Sequence, residues 1–561
     1  MELRSWNVIH SPDIDIVLSD DFHPFVEELR KNGTIPAISL GIIRLENGSK
    51  RPIVHYESWG DRTEDGDPAT PDVTFAAAAL GILMDDFARG DNVVPLPPKV
   101  TRFDWETKVM DILPAALEWS LQDEWTTRTA NLHDILAHVS GLPGHDLSHR
   151  LEDSAEDIVR RQKHLRPAYE LRERWWYCSQ MYNLTEYIVS HYSGISYPDF
   201  VTQRILAPLS MSSSTYFPSA AASTGLFAHA HTDTGRRIPP LVGEADGERF
   251  ATYASGLITS AKEMTSWLAM LLNEGVDRVS GKRVVPLDVY REVTTARSVV
   301  YSGLPSEDSY GSPIVGYGHG WEQWIHNGID IISHAGGIPG TTTVTAFSPT
   351  RNIGVVVLTN ASSKDAQVMT ILKRVLDEVL GLPTLAGSPA SHKPVSASAP
   401  ALLACNIVGH ALSLPIASYT GTYSAQGYPS ITLVSPALTS PDTSSVLADF
   451  APFDGPEWPT HNLYGALSSV MSTHVRLQHL SGDIFVFHPT ILFPNGYGRD
   501  TSAFETGVIY VKGTAEFVVD EAKGKVVGFG MMVYRDAVEV RRRRRGEEVQ
   551  ECADAWFVKV S

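Results

Sequence analysis

Residues 385–400, LAGSPASHKPVSASAP, divide the chain more sharply than any other stretch, being rich in Pro, Ser and Ala and nearly devoid of large apolar side chains. Such a segment buries too little surface to offset the entropy of ordering it, so it reads as a linker. With 561 residues there is chain enough for a core on either side. The expected organisation is a first domain over 1–384, a linker over 385–415 and a second domain over 416–561.

The two sides differ in period. Before the linker, PAISLGIIRL and PIVHYESWG read as an opening strand pair separated by turn residues Glu46 to Gly48. Amphipathic helices follow at Ala76 to Ala88 and at MTSWLAMLLN, residues 264–273. Strands return in IDIISHAGG, TTVTAFSP and NIGVVVLTN, and VMTILKRVLDEVLG closes the unit as a helix. Strands at both ends with helices between them predict one antiparallel sheet whose first and last strands pair, covered by a helical region. After the linker come HVRLQHL, DIFVFHP, GVIYVKG, AEFVVD, KVVGFGMMVY and WFVKVS, short period-two runs broken by turn residues. These predict an all-β antiparallel sheet or barrel. The fold class is therefore α/β in the α+β sense, with a β-barrel appended.

Charge and cysteine content exclude several functions. A net charge of -19 repels phosphate backbones, which argues against nucleic acid as a partner. The exception is Arg541 to Arg545, which reads as a solvated hairpin end between strand-like runs rather than as an anion patch. Three cysteines, Cys178, Cys405 and Cys552, match neither a zinc module nor a disulfide framework, so a reducing compartment is expected. The amino terminus lacks a basic start followed by an apolar core, and no apolar run approaches the roughly 20 residues that span a bilayer. A cytoplasmic protein with no membrane partner is the expectation.

Several segments together carry a resemblance. LHDILAHVSGLPGHD (132–146), RERWWYCSQMYNLTEYIVSHYSG (172–194), ASGLITSAKEMTSWLAMLL (254–272), GYGHGW (316–321) and SHAGGIPGTTTVTAFSP followed by GVVVLTN resemble the serine beta-lactamase and penicillin-binding superfamily. The branch most resembled is that of the class C-like esterases, D-aminopeptidases and transesterases, particularly large fungal members. The tail from Tyr419 resembles the lipocalin-like barrel of some of those relatives. The resemblance implies a hydrolase or acyltransferase acting on an ester, amide or lactam. Its partner would be a small-molecule acyl substrate, and no cofactor or metal would be needed.

In that chemistry a serine attacks a carbonyl and a lysine one helical turn later takes its proton. A tyrosine from a Tyr-x-Asn turn relays protons, and a Lys/His-x-Gly strand lines the site beside an oxyanion hole. By resemblance, Tyr177 holds the tyrosine position and Ser179 stands where Asn is usual, with only a hydroxyl to offer. His334, Ala335 and Gly336 match His-x-Gly, and Gly337 is the implied oxyanion donor. Taken alone, Tyr177 after Trp175 and Trp176 would read as a core aromatic. His334 alone would read as a structural histidine, but Gly336, Gly337 and Gly340 permit close backbone approach around it.

The nucleophile itself is missing. No Ser-x-x-Lys occurs anywhere in the chain, and TFAAAALGILMDDFARG (74–90) passes from Phe75 straight to Ala76, as if a short segment had been excised. Without both groups the chain should form no acyl-enzyme. A non-catalytic pseudoenzyme that binds a small acyl ligand or a protein partner is the alternative. Cys178 is a poor replacement, since a residue adjacent to Tyr177 in one turn faces away and no base is placed for it. His229, His231 and Asp233 form His-x-His-x-Asp, yet Thr234 stands where metallo-hydrolases continue with a second His, so a surface loop is expected there.

Overall fold

The computed structural model describes residues 16–46, 51–65, 75–150, 152–241, 256–304, 310–382, 410–438, 444–455, 458–507 and 512–560. Thr74, residues 385–409 of the expected linker and residues 508–511 of GVIYVKG lie outside the described residues. The chain divides into two compact units, one of residues 1–107, 135–137 and 185–392, the other of 108–134, 138–184 and 393–561.

Among the described residues, the first unit holds ten strands. Eight form one antiparallel sheet: β1 (Ala37–Arg44), β2 (Ile53–Gly60), β5 (Ser298–Ser302), β6 (Ile314–Tyr317), β7 (Glu322–His326), β8 (Ile329–Ile338), β9 (Thr341–Ser348) and β10 (Ile353–Thr359). The other two, β3 (Ala230–His231) and β4 (Arg237–Ile238), make a small separate pair. The sheet order is β2-β1-β10-β9-β8-β7-β6-β5, so the first strand of the unit does pair with the last, Ile38 opposite Thr359.

Burial follows from this order. All seven residues of β10, IGVVVLT, are buried, as expected of a central strand covered on both faces. Val355 and Val357 join the cluster made by Val368, Ile371, Leu372, Val375 and Leu376 of the helix Asp365–Leu380. Those five positions repeat at i, i+3, i+4, i+7 and i+8, one apolar stripe, and each is worth about 1.5–3 kcal/mol of burial. The opposite face takes the helix Ala261–Leu272. A Cβ at Gly41 would lie 3.0 Å from Ala261 O and 2.9 Å from Val356, so glycine lets that helix approach.

The second unit ends in the expected barrel. Its strands are β11 (Gly421–Ser424), β12 (Ile431–Val434), β13 (Leu463–Ser469), β14 (Ser472–Ser481), β15 (Ile484–Phe493), β16 (Phe504–Thr506), β17 (Gly513–Asp520), β18 (Lys525–Met532) and β19 (Ala555–Lys559). Eight of them close through the β14–β15 and β11–β19 pairings, with β16 appended to β15. Closure removes the exposed edges that an open sheet would present. Tyr419, Tyr423, Phe485, Phe517, Phe529 and Phe557 pack together inside, with Phe529 and Phe557 stacked at 4.8 Å.

One expectation is corrected here. Arg541 to Arg545 do not end a hairpin; they finish the helix Arg535–Arg545, and Arg541 is fully buried. Arginine is a good helix former, and the Arg535–Glu539 pair supports the helix at i,i+4 spacing. Burial of Arg541 is possible because Asp554, equally buried, faces it at 2.9 Å.

Candidate active site

The helix that would carry a nucleophile runs Ala76–Arg89 in the first unit. Its N-cap is Phe75, whose side chain offers no capping bond and whose ring instead meets Trp267 edge-on at 4.4 Å. Ala76, Ala77, Ala78 and Ala79 are all buried, so the first turn presents methyl groups where a serine and lysine would stand. The helix is otherwise held firmly. A Cβ at Gly81 would lie 2.2 Å from Val289, and Asp86 pairs with Arg89 and Arg204.

In the same unit β8 carries His334, Gly336 and Gly337. On one flank it pairs with β9 from Ile332 to Ile338; on the other, β7 reaches only to Ser333, opposite Glu322. Among the described residues, 334–338 therefore have no strand partner on that flank and form an open edge. Ile338 and Thr341 flank a two-residue loop, so alternate pairing turns the N–H and C=O of Ala335 and Gly337 toward that edge. A Cβ at Gly336 would lie 2.5 Å from Thr343 Oγ1, whereas at Gly337 it would meet nothing within 4 Å. Glycine is thus required sterically at 336, while the space above 337 is open.

His334 is half-buried, with Tyr317 Oη 3.5 Å from its Nε2. Burial pushes its pKa down from 6.5 to about 4, so at neutral pH the ring is uncharged. The unfolded chain holds the extra proton between those values, so this contribution is complete above pH 6.5 and is lost as pH falls toward 4. In His334→Gln the corresponding part of the acid-side decline in stability should vanish. Denaturant melts of both chains from pH 4 to 7 measure it, and parallel pH profiles would refute it.

Tyr177 and Ser179 belong to the second unit. The turn before them is clasped by the segment HVSG: Trp176 N–H donates to His138 O at 2.9 Å and Cys178 N–H to His138 Nδ1 at 3.1 Å. His138 adopts the left-handed conformation, φ 55°, and its ring lies 4.4 Å from that of Tyr177. Tyr177 is 47% exposed, which removes the reading of a core aromatic. Ser179 begins the helix Ser179–Ser193 and its hydroxyl donates to Asp146 Oδ1 at 3.1 Å. His138 and Asp146 both lie in LHDILAHVSGLPGHD, a stretch whose sequence assigns neither of them to a site. The signal was there in a histidine two residues before a Ser-Gly turn, but only long-range pairing reveals it.

The other candidates separate from the site. Cys178 is fully buried, and burial followed by the charge of Asp146 raises its thiol to about 12. The thiolate fraction at neutral pH falls about a thousandfold below that of a free cysteine. Iodoacetamide should accordingly leave Cys178 unmodified in the folded protein, as followed by peptide mass spectrometry; rapid alkylation would contradict this. His231 donates from Nδ1 to Asn360 O at 3.0 Å, His229 Nδ1 accepts from Glu64 N–H at 3.1 Å, and the carbonyl of Asp233 accepts from Lys364 Nζ. Among the described residues, His229, His231 and Asp233 do not bring their ligand atoms together as a metal-binding group.

An antiparallel sheet with its terminal strands paired, helices on both faces and a His-x-Gly strand at an open edge is the layout of serine beta-lactamases and penicillin-binding proteins. The chain belongs to the Beta-lactamase family, whose model matches residues 74–378. Among curated relatives it is similar to "Unguisins hydrolase ungD'" of Aspergillus campestris, 24% identical, covering 62% of each chain. "Unguisins hydrolase ungD" of Aspergillus violaceofuscus is 23% identical, covering 85% of this chain and 84% of the relative. Penicillin-binding protein 4 of Amycolatopsis lactamdurans is 24% identical over 52% of this chain and 74% of its own. The chain thus spans under two thirds of the first of these and most of the second. Among solved structures, the octameric penicillin-binding protein homologue from Pyrococcus abyssi shares the fold at TM-score 0.50 and 17% identity, covering 89% of this chain and 96% of its own. A class C beta-lactamase variant does so at TM-score 0.50 and 15% identity, covering 66% of this chain and 99% of its own.

Proposed function

We propose that this is the scaffold of a hydrolase or acyltransferase for an ester, amide or lactam bond, catalytically silent in the sequence given. The carrying observation is the bare first turn of the helix Ala76–Arg89 in the same unit as an open His-x-Gly strand. Residues 334–338 offer backbone donors and acceptors to an extended acyl or peptide-like ligand. Gly337 N–H is the oxyanion donor, His334 a neutral polar wall, Tyr177 the proton relay and Ser179 a residue of the same turn. The fungal relatives bear the name unguisins hydrolase, which supports hydrolysis as the reaction and a setting in fungal secondary metabolism. Three cysteines and net charge -19 support a cytosolic setting with neither nucleic acid nor membrane as partner.

The missing Ser-x-x-Lys favours a second reading, a pseudoenzyme that keeps the binding strand and has lost the chemistry. The genomic DNA between the codons of Phe75 and Ala76 separates the two. An in-frame Ser-x-x-Lys inside a called intron supports the hydrolase and rejects the pseudoenzyme. Directly contiguous codons reject the excised segment and leave ligand binding as the activity.

A further inference from the structure

We infer that the C-terminal barrel is a working part of the Tyr177 site, with Tyr534 as the positioning residue that holds the Tyr177–Ser179 turn through Asp146. The role given to Tyr177 rests on the reading above; the clamp itself rests on geometry within the second unit. Tyr534 follows β18 and caps the helix Arg535–Arg545. Its hydroxyl accepts the Asp146 N–H at 3.1 Å and faces Asp146 Oδ2 at 3.4 Å, while Asp146 Oδ1 accepts the Ser179 hydroxyl at 3.1 Å. Its ring also meets Trp176 edge-on at 6.4 Å. The residues that flank Tyr177 and Cys178, one on each side, therefore both answer to Tyr534.

Tyr534 is itself fixed. Its N–H and that of Val533 both donate to Asp554 Oδ2, at 2.9 and 2.7 Å, and Asp554 pairs with buried Arg541. Gly144 makes room for the contact, since a Cβ there would lie 2.7 Å from Asp146 Oδ2 and 3.2 Å from Tyr534 Oη. A phenol this tightly held can transmit the position of the barrel to the turn, because both of its hydrogen bonds end on one carboxylate residue.

The test needs no substrate. In protein labelled with 3-fluorotyrosine, with the Tyr177 signal assigned through Tyr177→Phe, Tyr534→Phe should shift or broaden the Tyr177 resonance. It should also speed amide exchange over 176–179 by about tenfold, the size that a lost hydrogen bond of this kind carries. Exchange over 463–469 in β13 should stay unchanged, which separates a local release from loss of the fold. Ser179→Ala should produce the same local change, and Tyr534→Phe added to it should contribute less than twofold more, because both act through Asp146. An unchanged Tyr177 signal in a folded Tyr534→Phe protein overturns the clamp, as do effects that simply multiply. Should Tyr534→Phe fail to fold, Asp146→Ala, which removes both carboxylate contacts and leaves the Tyr534 ring in place, is read in the same way and decides. If Tyr177 instead responds but proves dispensable for turnover in a chain with the nucleophile restored, the functional reading fails and the clamp stands.

Discussion

Incubated with a fluorophosphonate probe, the 561-residue chain is expected to gain no mass on any serine and to turn over no chromogenic ester. Two losses coincide at the start of the helix Ala76–Arg89. The nucleophile and its base are absent, and together such groups carry about a millionfold in kcat, roughly 8 kcal/mol of barrier. On the proposed reading, an oxyanion hole would also lack the donor that the serine's own N–H supplies, leaving only that of Gly337 on β8. What replaces the pair is a run of four buried alanines without a titratable group. A companion chain with a short Ser-x-x-Lys segment inserted between Phe75 and Ala76 should become labelled, stoichiometrically by intact mass. Labelling of the original chain would overturn this account of the site.

The parts of the molecule legible in sequence are those whose physics is local. NIGVVVLTN announces a strand buried on both faces, and VMTILKRVLDEVLG shows its apolar stripe at helical spacing, so β10 and the helix covering it follow from periodicity alone. Of Gly336, Gly337 and Gly340, read as glycines that permit close backbone approach, only Gly340 meets backbone, with the Ala230 Cα at 3.2 Å; Gly336 is crowded by the Thr343 side chain and Gly337 faces open space. The barrel was visible as alternation, but its closure, β14 against β15 and β11 against β19, depends on pairings that no single strand declares. The Tyr177 turn was harder still. Its supports are His138, Asp146 and Tyr534, the last two 388 residues apart along the chain, and none stands in a motif that names its partner. Arg541 was misread because composition cannot reveal that one arginine of five meets a carboxylate.

That arginine leads to the largest expected effect on stability. Asp554→Ala should destabilise the second unit by about 3–5 kcal/mol, the usual cost of leaving a buried charge without its partner. Arg541 would retain only the carbonyls of Pro167 and Cys552 as acceptors, at 3.0 and 3.1 Å. Arg543→Ala, two residues further along the same helix on an exposed position, should change stability by no more than about 0.5 kcal/mol. Replacing a buried ion pair by apolar residues of similar size is often close to neutral, so the double variant Arg541→Leu with Asp554→Leu is the informative control. Here it should recover little. Asp554 also accepts the N–H groups of Val533 and Tyr534, and leucine leaves both donors buried without an acceptor. Urea melts of the four chains measure these differences. A double variant as stable as the parent would show that the backbone donors find other partners, and that Asp554 serves Arg541 alone.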